Sequence, residues 1–263
     1  MKKIFTLIFF LALILAFFYL QKNSQIEEAI LPTSTPQAFI LPQASFEKTL
    51  AKMQAVDFLG KNYKYQLYQI ENPKKLSLYP NFTDQEKTSI LFQKNACQFL
   101  TNASFYTTED LPLGAFTTNF EEIKKPIKSL LLDGFICSKE NQVDIALTCS
   151  LDNPRWLLQA GPLLILNNKE LKLTIQNDEA RRRVLAFQDN KKDFYFLVLT
   201  QDKSLNLGPL LADLPAILIT IGLQEKIEIQ NAINLDGGSA SAFITSDLEI
   251  EETNYIGGYF CEK

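Results

Sequence analysis

From Ile4 to Leu20 the chain runs without a charged residue, opened by Lys2 and Lys3 and closed by the polar stretch Gln21 to Ser24. A run of that length and hydropathy belongs in a bilayer or a translocon, so it is set apart from the globular fold. Residues 1–20 read as a signal peptide or an N-terminal membrane anchor. No small-x-small cleavage signal follows Leu20, which favours the uncleaved anchor. Lys2 and Lys3 hold the N-terminus inside by the positive-inside rule, although Lys22 on the far side weakens that bias. The expected location is membrane-anchored with the domain outside the cytoplasm, or secreted if the segment is cleaved.

Residues 21–45 place Pro32, Pro36 and Pro42 among Thr, Ser and Gln, a composition that disfavours regular structure. It suits a stalk, and an irregular start to the domain reads nearly as well. Residues 46–263 are then enough for one domain with an ordinary core. The segment YKYQLYQI from Tyr63 to Ile70 alternates at period two and predicts a strand, with Leu76 to Tyr79 as its partner. A helix is expected from Asp84 to Asn95 with Ile90 and Leu91 facing inward. Short apolar runs that read as strands follow at Cys97 to Leu100, Leu130 to Leu132, Gly134 to Cys137, Val143 to Cys149 and Leu163 to Leu166. Val184 to Phe187 and Phe194 to Leu199 flank the polar Gln188 to Asp193 and predict a strand pair. Leu210 to Ile221 predicts a buried helix interrupted at Pro215, and Ala232 to Leu235 a strand that gives way to Asp236 and two glycines. The fold class expected is α+β, a single domain with a mixed, largely antiparallel β-sheet and packed helices.

The chain has no histidine. That removes Ser-His-Asp and Cys-His hydrolases, HExxH metalloproteases and any His-ligated zinc, and leaves carboxylates, Arg, Lys, Asn, hydroxyls, backbone amides or a hard divalent metal to carry chemistry. A formal net charge of -4, with no long basic run, gives a nucleic-acid partner no electrostatic support. Cys97, Cys137, Cys149 and Cys261 lack CxxC spacing. Two readings stay open for them: disulfides in an oxidising compartment, with Cys137 to Cys149 closing an expected hairpin and Cys97 left for Cys261, or four buried thiols.

One stretch concentrates chemically useful groups: Asn234-Leu235-Asp236-Gly237-Gly238-Ser239-Ala240-Ser241. Paired glycines let a backbone turn with positive φ and present its amides to an anion, beside a carboxylate and hydroxyls. A tight turn in which Asp236 caps local amides accounts for the same residues. The segment AINLDGGSASAF resembles the LDGG-x-S-S segment of the phosphodiester glycosidase family. Three more landmarks follow the family's order. Asn102-Ala103-Ser104-Phe105-Tyr106 resembles its Asn-Gly-Gly-Phe-Phe-like segment, with Pro112-Leu113-Gly114 after it. Gln159-Ala160-Gly161-Pro162-Leu163-Leu164 resembles its Ser-Gly-Pro-x-Leu strand entry, and Arg181-Arg182-Arg183 stands where the family has an Arg before a short strand. The chain departs from the pattern at Ala240, where the family has a Ser, at Ser104, where it has a Gly, after Arg183, and at Thr200-Gln201-Asp202.

The resemblance implies an α+β fold and an extracytoplasmic hydrolase that cleaves the sugar-phosphate bond of a glycosyl-1-phosphodiester in a surface or secreted glycan. The partner implied is a phosphate-linked sugar or glycopolymer, and the membrane is a partner through the N-terminal segment. Asp236, Arg183 and Asn102 are the expected catalytic residues. Arg182, Gly161, Gly237, Gly238, Ser239 and Ser241 are the expected substrate-binding residues. Arg183, with Arg182, would clamp phosphate oxygens, while Arg181 reads as solvated surface charge. Asp236 would activate water, stabilise an oxocarbenium ion or ligate a metal; the cofactor is undetermined, with a divalent metal one option. The alternative is a non-catalytic, membrane-tethered glycan-binding or envelope-assembly protein of the same fold, its turnover lost through the departures at Ala240 and around Arg183.

Overall fold

A computed structural model describes residues 43–139 and 141–263. The hydrophobic segment and most of the expected stalk lie outside the described residues. A helix, Gln43–Lys52, already occupies the last three stalk positions, so the domain starts slightly earlier than expected. Among the described residues no helix is long and apolar enough to cross a membrane.

The domain is mostly β, and its described strand pairs are all antiparallel. In place of the one mixed sheet expected, it has three sheets of seven, five and five strands, with few helices. The seven-stranded sheet is centred on Arg183–Asp189 and Phe194–Gln201, the predicted pair, with Ile229–Asn234 beside the first and Lys61–Ile70 beside the second. Both central strands are apolar at nearly every position because both faces of the sheet are covered. Leu185, Phe187, Tyr195, Leu197 and Leu199 face the helix Leu214–Glu225, whose Leu214, Ile217, Leu218 and Ile221 fill one core. Val184, Ala186, Phe194, Phe196 and Val198 face the opposite way, into a central core shared with Phe99, Phe116, Trp156, Phe243 and Phe260. Trp156, a core anchor, donates its indole N–H to the Leu76 carbonyl at 3.1 Å and meets Phe260 edge-on.

Several local expectations shift under tertiary packing. Lys61–Ile70 pairs with Gln54–Phe58 and Phe194–Gln201, while Leu76–Pro80 joins Gly258–Glu262 in a second sheet. The helix expected from Asp84 spans only Thr88–Lys94. Before it, Asn81 holds a turn by accepting from the Glu86 N–H and donating to the Glu86 carbonyl, each at 3.0 Å. Leu91 is buried as expected, but Ile90 is 52% exposed. Pro215 opens the helix Leu214–Glu225 and does not break it, because a first-turn residue needs no intrahelical donor. Leu130 to Leu132, expected as a strand, lies in a loop between Glu121–Lys124 and Gly134–Lys139.

Both disulfides form, Cys137 with Cys149 and Cys97 with Cys261. The second closes a separation of 164 residues, the first only 12, so chain entropy makes the second the larger stabiliser. Replacing Cys97 and Cys261 together by Ala should cost about 5 kcal/mol, and replacing Cys137 and Cys149 about 3 kcal/mol. Thermal melts of the two double variants check the ranking, which equal losses would contradict.

Candidate active site

Strand Ile229–Asn234 delivers the glycine loop to one end of the seven-stranded sheet. Leu235, fully buried, donates its amide to the Val184 carbonyl at 2.9 Å and keeps the chain against the neighbouring strand as it leaves the sheet. A Cβ on Gly237 would lie 2.8 Å from the Arg182 carbonyl oxygen, and Gly238 has φ +68, so the loop needs both glycines to lie flat on the arginine segment. Asn102, at the end of strand Phe99–Asn102, clasps the loop at both ends. Its Nδ2 donates to the Asp236 carbonyl at 2.7 Å, and its Oδ1 accepts from the Ala242 amide at 3.0 Å.

Three consecutive arginines meet this loop in three different ways. Arg182 points inward and is 1% exposed. Its Nε donates to Ser241 Oγ at 2.8 Å, its Nη1 to the Leu205 carbonyl at 3.2 Å, and its Nη2 to the carbonyls of Gly238, Ser241 and Glu251. Burial pulls its pKa down to about 10, which still leaves it charged at neutral pH. Arg183 pairs with Asp178 at 3.1 Å and donates to the carbonyls of Glu179 and Pro209. Asp178 also accepts from the amides of Leu211 and Ala212, so this ion pair pins the segment 178–180 to the start of the helix region. Glu179, thus fixed, holds Nη2 of Arg181 at 2.7 Å. Arg181 keeps 43% of its side chain exposed, and its Cδ lies 3.2 Å from the Cβ position of Gly238.

Asp236 sits at the head of the loop. Although the residue is only partly buried, its carboxyl is surrounded by protein atoms, and burial raises its pKa to about 7 against the opposing pull of the Gly237 amide and the Arg181 charge. The Gly237 amide donates to Asp236 Oδ1 at 2.8 Å. The Tyr106 hydroxyl lies within the field of Asp236, which together with burial raises its pKa. Tyr106 donates that hydroxyl to the Tyr255 carbonyl at 2.9 Å, the two rings stand 4.7 Å apart, and Tyr255 donates its own hydroxyl to Asp110. The result is a carboxylate poised to gain or lose a proton near neutrality, an accessible guanidinium, and two aromatic rings on neighbouring loops.

The Asp236 shift carries a stability consequence of unusual sign for a carboxylate. The folded state binds this proton more tightly than the unfolded chain does, so stability is lost as pH rises from about 4 to about 7, by at most about 4 kcal/mol. Asp236→Asn removes the charge and leaves an acceptor for the Gly237 amide. Its melting temperature relative to the wild type should therefore be higher at pH 8 than at pH 5, which differential scanning calorimetry reads. An equal difference at both pH values would mean that the carboxyl titrates normally.

The expected site residues divide. Asp236, Gly237, Gly238 and Ser239 lie on one loop, with Ser239 exposed. Arg182, Ser241 and Asn102 come to the same place but as its scaffold: Arg182 is saturated by five oxygens, Ser241 is buried between Arg182 and the Gly238 carbonyl, and Asn102 is spent on the loop backbone. Arg183 has its Nε and Nη2 engaged with the chain, and through Asp178 it holds the segment that carries Glu179, the partner of Arg181. The anion nest is also partly closed, because the Gly238 amide donates to the Arg182 carbonyl at 2.8 Å. The Gly161 amide donates to the Asn234 carbonyl and its own carbonyl accepts from Asn234 Nδ2, and a Cβ there would lie 2.1 Å from the Leu131 carbonyl oxygen, so it serves close packing below the loop. Arg181, expected as solvated surface charge, keeps that exposure while lying against the glycine loop, and Tyr106 comes near Asp236. For Arg181 the signal was period two: Arg181 and Arg183 both approach Gly237, while Arg182 faces the other way. Among the described residues no group of three or more Cys, Asp or Glu side chains could hold a metal ion, so no metal is assigned.

Residues 95–258, which contain Asn102, the arginine run and the glycine loop, match the family model of the phosphodiester glycosidases. The chain belongs to the phosphodiester glycosidase family. Among solved structures it is similar to the catalytic domain of zebrafish N-acetylglucosamine-1-phosphodiester alpha-N-acetylglucosaminidase, described as auto-inhibited by its pro-peptide. That match has a TM-score of 0.62 at 13% identity and covers 80% of this chain and 81% of that one. A hypothetical protein from Synechocystis matches with TM-score 0.60 and 14% identity, over 80% of this chain and 61% of the other. A putative exported protein from Burkholderia pseudomallei matches with TM-score 0.54 and 10% identity, over 77% and 74%. At such identities these structures share the phosphodiester glycosidase fold with this chain, and no match was found among curated proteins.

Proposed function

We propose that this member of the phosphodiester glycosidase family hydrolyses the bond between the anomeric carbon of a sugar and a phosphodiester, in a surface or secreted glycan outside the cytoplasm. The observation that carries the reading is Arg181 lying against the Gly237-Gly238 turn, with its charge felt at the Asp236 carboxyl. The departing group is a phosphate ester that already carries charge, so an accessible guanidinium serves it better than a proton donor would. Arg181 takes the phosphate oxygens. The oxygen of a water molecule bonds to the anomeric carbon as that carbon's bond to the phosphate oxygen breaks. The electron pair leaves with the phosphate, now a monoester, and ionised Asp236 takes the proton from the water while its charge opposes the positive charge growing on the sugar ring. Both disulfides support an oxidising, extracytoplasmic setting.

The test incubates residues 43–263 with a panel of sugar-1-phosphodiesters, with and without chelator, beside folded Asp236→Asn. Free sugar released by the wild type alone supports the hydrolase, and sensitivity to chelator would add a metal to it. Glycan binding by both proteins with no release from any substrate would favour the non-catalytic, glycan-binding alternative.

A further inference from the structure

We infer that the segment from Ile123 to Leu131, the end of the edge strand Glu121–Lys124 and the loop after it, is a membrane-docking surface that takes an anionic lipid bilayer. Its sequence, IKKPIKSLL, carries three lysines and no acidic residue. Leu130 is 95% exposed and Leu131 57%, and Leu147 from beside the adjoining strand adds a third leucine at 55%. Leu130 and Leu147 line one hollow and Leu131 adjoins it, and a clustered apolar patch, unlike a single exposed leucine, marks a docking surface.

The display is built into the fold. Gln159 rises beneath the loop and is spent on its backbone: its Oε1 accepts from the Ile127 amide at 3.0 Å, and its Nε2 donates to the carbonyls of Ile127 and Leu132, each at 2.8 Å. Ser129 Oγ accepts from the amides of Leu131 and Leu132. Leu132 is buried, so the backbone is held while Leu130 and Leu131 are turned outward. An open cavity of about 410 Å³ lies beside them, lined by Ile127, Leu130, Leu132, Phe135 and Leu147 together with Lys128 and Asp133.

Charge selects the occupant. Leucines at a loop tip enter the acyl boundary while Lys124, Lys125 and Lys128 stay among anionic headgroups, the pairing that interfacial segments use. Glu121 and Glu122, on the preceding edge strand, mark where the basic stretch ends. The inference stands apart from the proposed reaction.

Residues 43–263 hold all three hydrophobic cores and both disulfides, so they are tested as the folded unit, free of the N-terminal hydrophobic segment. The measurement is co-sedimentation with vesicles of pure phosphatidylcholine or of phosphatidylcholine with phosphatidylglycerol. Binding is expected only to the anionic vesicles, weakened by salt and by roughly fivefold for each of Lys124, Lys125 and Lys128 changed to Gln. Leu130→Asp with Leu131→Asp should abolish it with the melting temperature unchanged, because both side chains already face solvent. No binding to anionic vesicles would overturn the inference, as would binding that survives the leucine changes. Self-association lost in the leucine variant, seen by sedimentation velocity without vesicle binding, would identify a contact between copies instead.

Discussion

Asp236→Asn is expected to lower kcat/KM for a glycosyl-1-phosphodiester by about 10³-fold while the domain stays folded, a loss typical of removing a carboxylate that manages a proton or a developing charge. Asn keeps the shape of the side chain and an oxygen for the Gly237 amide, so the loop that also carries Ser239 is preserved. The pH profile of the wild type identifies the working form. Burial holds the Asp236 carboxyl near pH 7, and the mechanism needs it ionised, so kcat/KM should climb through that region and level off above it. A rate that instead falls as pH rises through 7 would mean that protonated Asp236 donates to the leaving phosphate. A profile flat across this range, with activity intact in Asp236→Asn, would take the carboxylate out of the reaction altogether.

The second large effect separates the arginines. Arg182→Met should destabilise the domain by at least about 4 kcal/mol, since it strips donors from the carbonyls of Leu205, Gly238, Ser241 and Glu251 in a site closed to water. Arg181→Ala should leave the melting temperature almost unchanged, because its ion pair with Glu179 is exposed and worth little. Its kcat/KM should nevertheless fall about 10²-fold to 10³-fold, the usual cost of losing one group that stabilises a developing anion. Steady-state kinetics and thermal melts on the two variants decide the matter. Full activity in Arg181→Ala would return the phosphate-binding role to Arg183, whose replacement should otherwise act through Arg181 by freeing Asp178 and Glu179.

Two apolar runs around a polar stretch made the central strands legible. Val184 to Phe187 and Phe194 to Leu199 pair as the intervening polar stretch suggests, and the four cysteines pair as their placement around a hairpin allowed. Those features depend on neighbours within one or two strands. The partner of Tyr63 to Ile70 was misjudged because nearness in sequence favoured Leu76 to Tyr79, whereas the covered faces of the seven-stranded sheet drew it to Phe194–Gln201 instead. Leu130 to Leu132 looked like a buried strand because apolar composition alone carries no information about Gln159, which ties the loop backbone from another strand.

The sequence by itself determined the family, through the order of its landmarks, along with the absence of imidazole chemistry, while the structure decided between disulfides and buried thiols. The sequence also singled out Asp236 and the two glycines, since a carboxylate next to residues without a Cβ is a local property of the chain. Tertiary structure alone decided which arginine is free. Arg181, Arg182 and Arg183 are identical in type and adjacent, and they differ only in what the fold sets around each: five oxygens around Arg182, the Asp178 carboxylate around Arg183, and a partly exposed pairing with Glu179 beside the glycine loop for Arg181. Burial and hydrogen-bond saturation are sums over distant segments of chain, so no reading of neighbouring residues could have assigned those three roles.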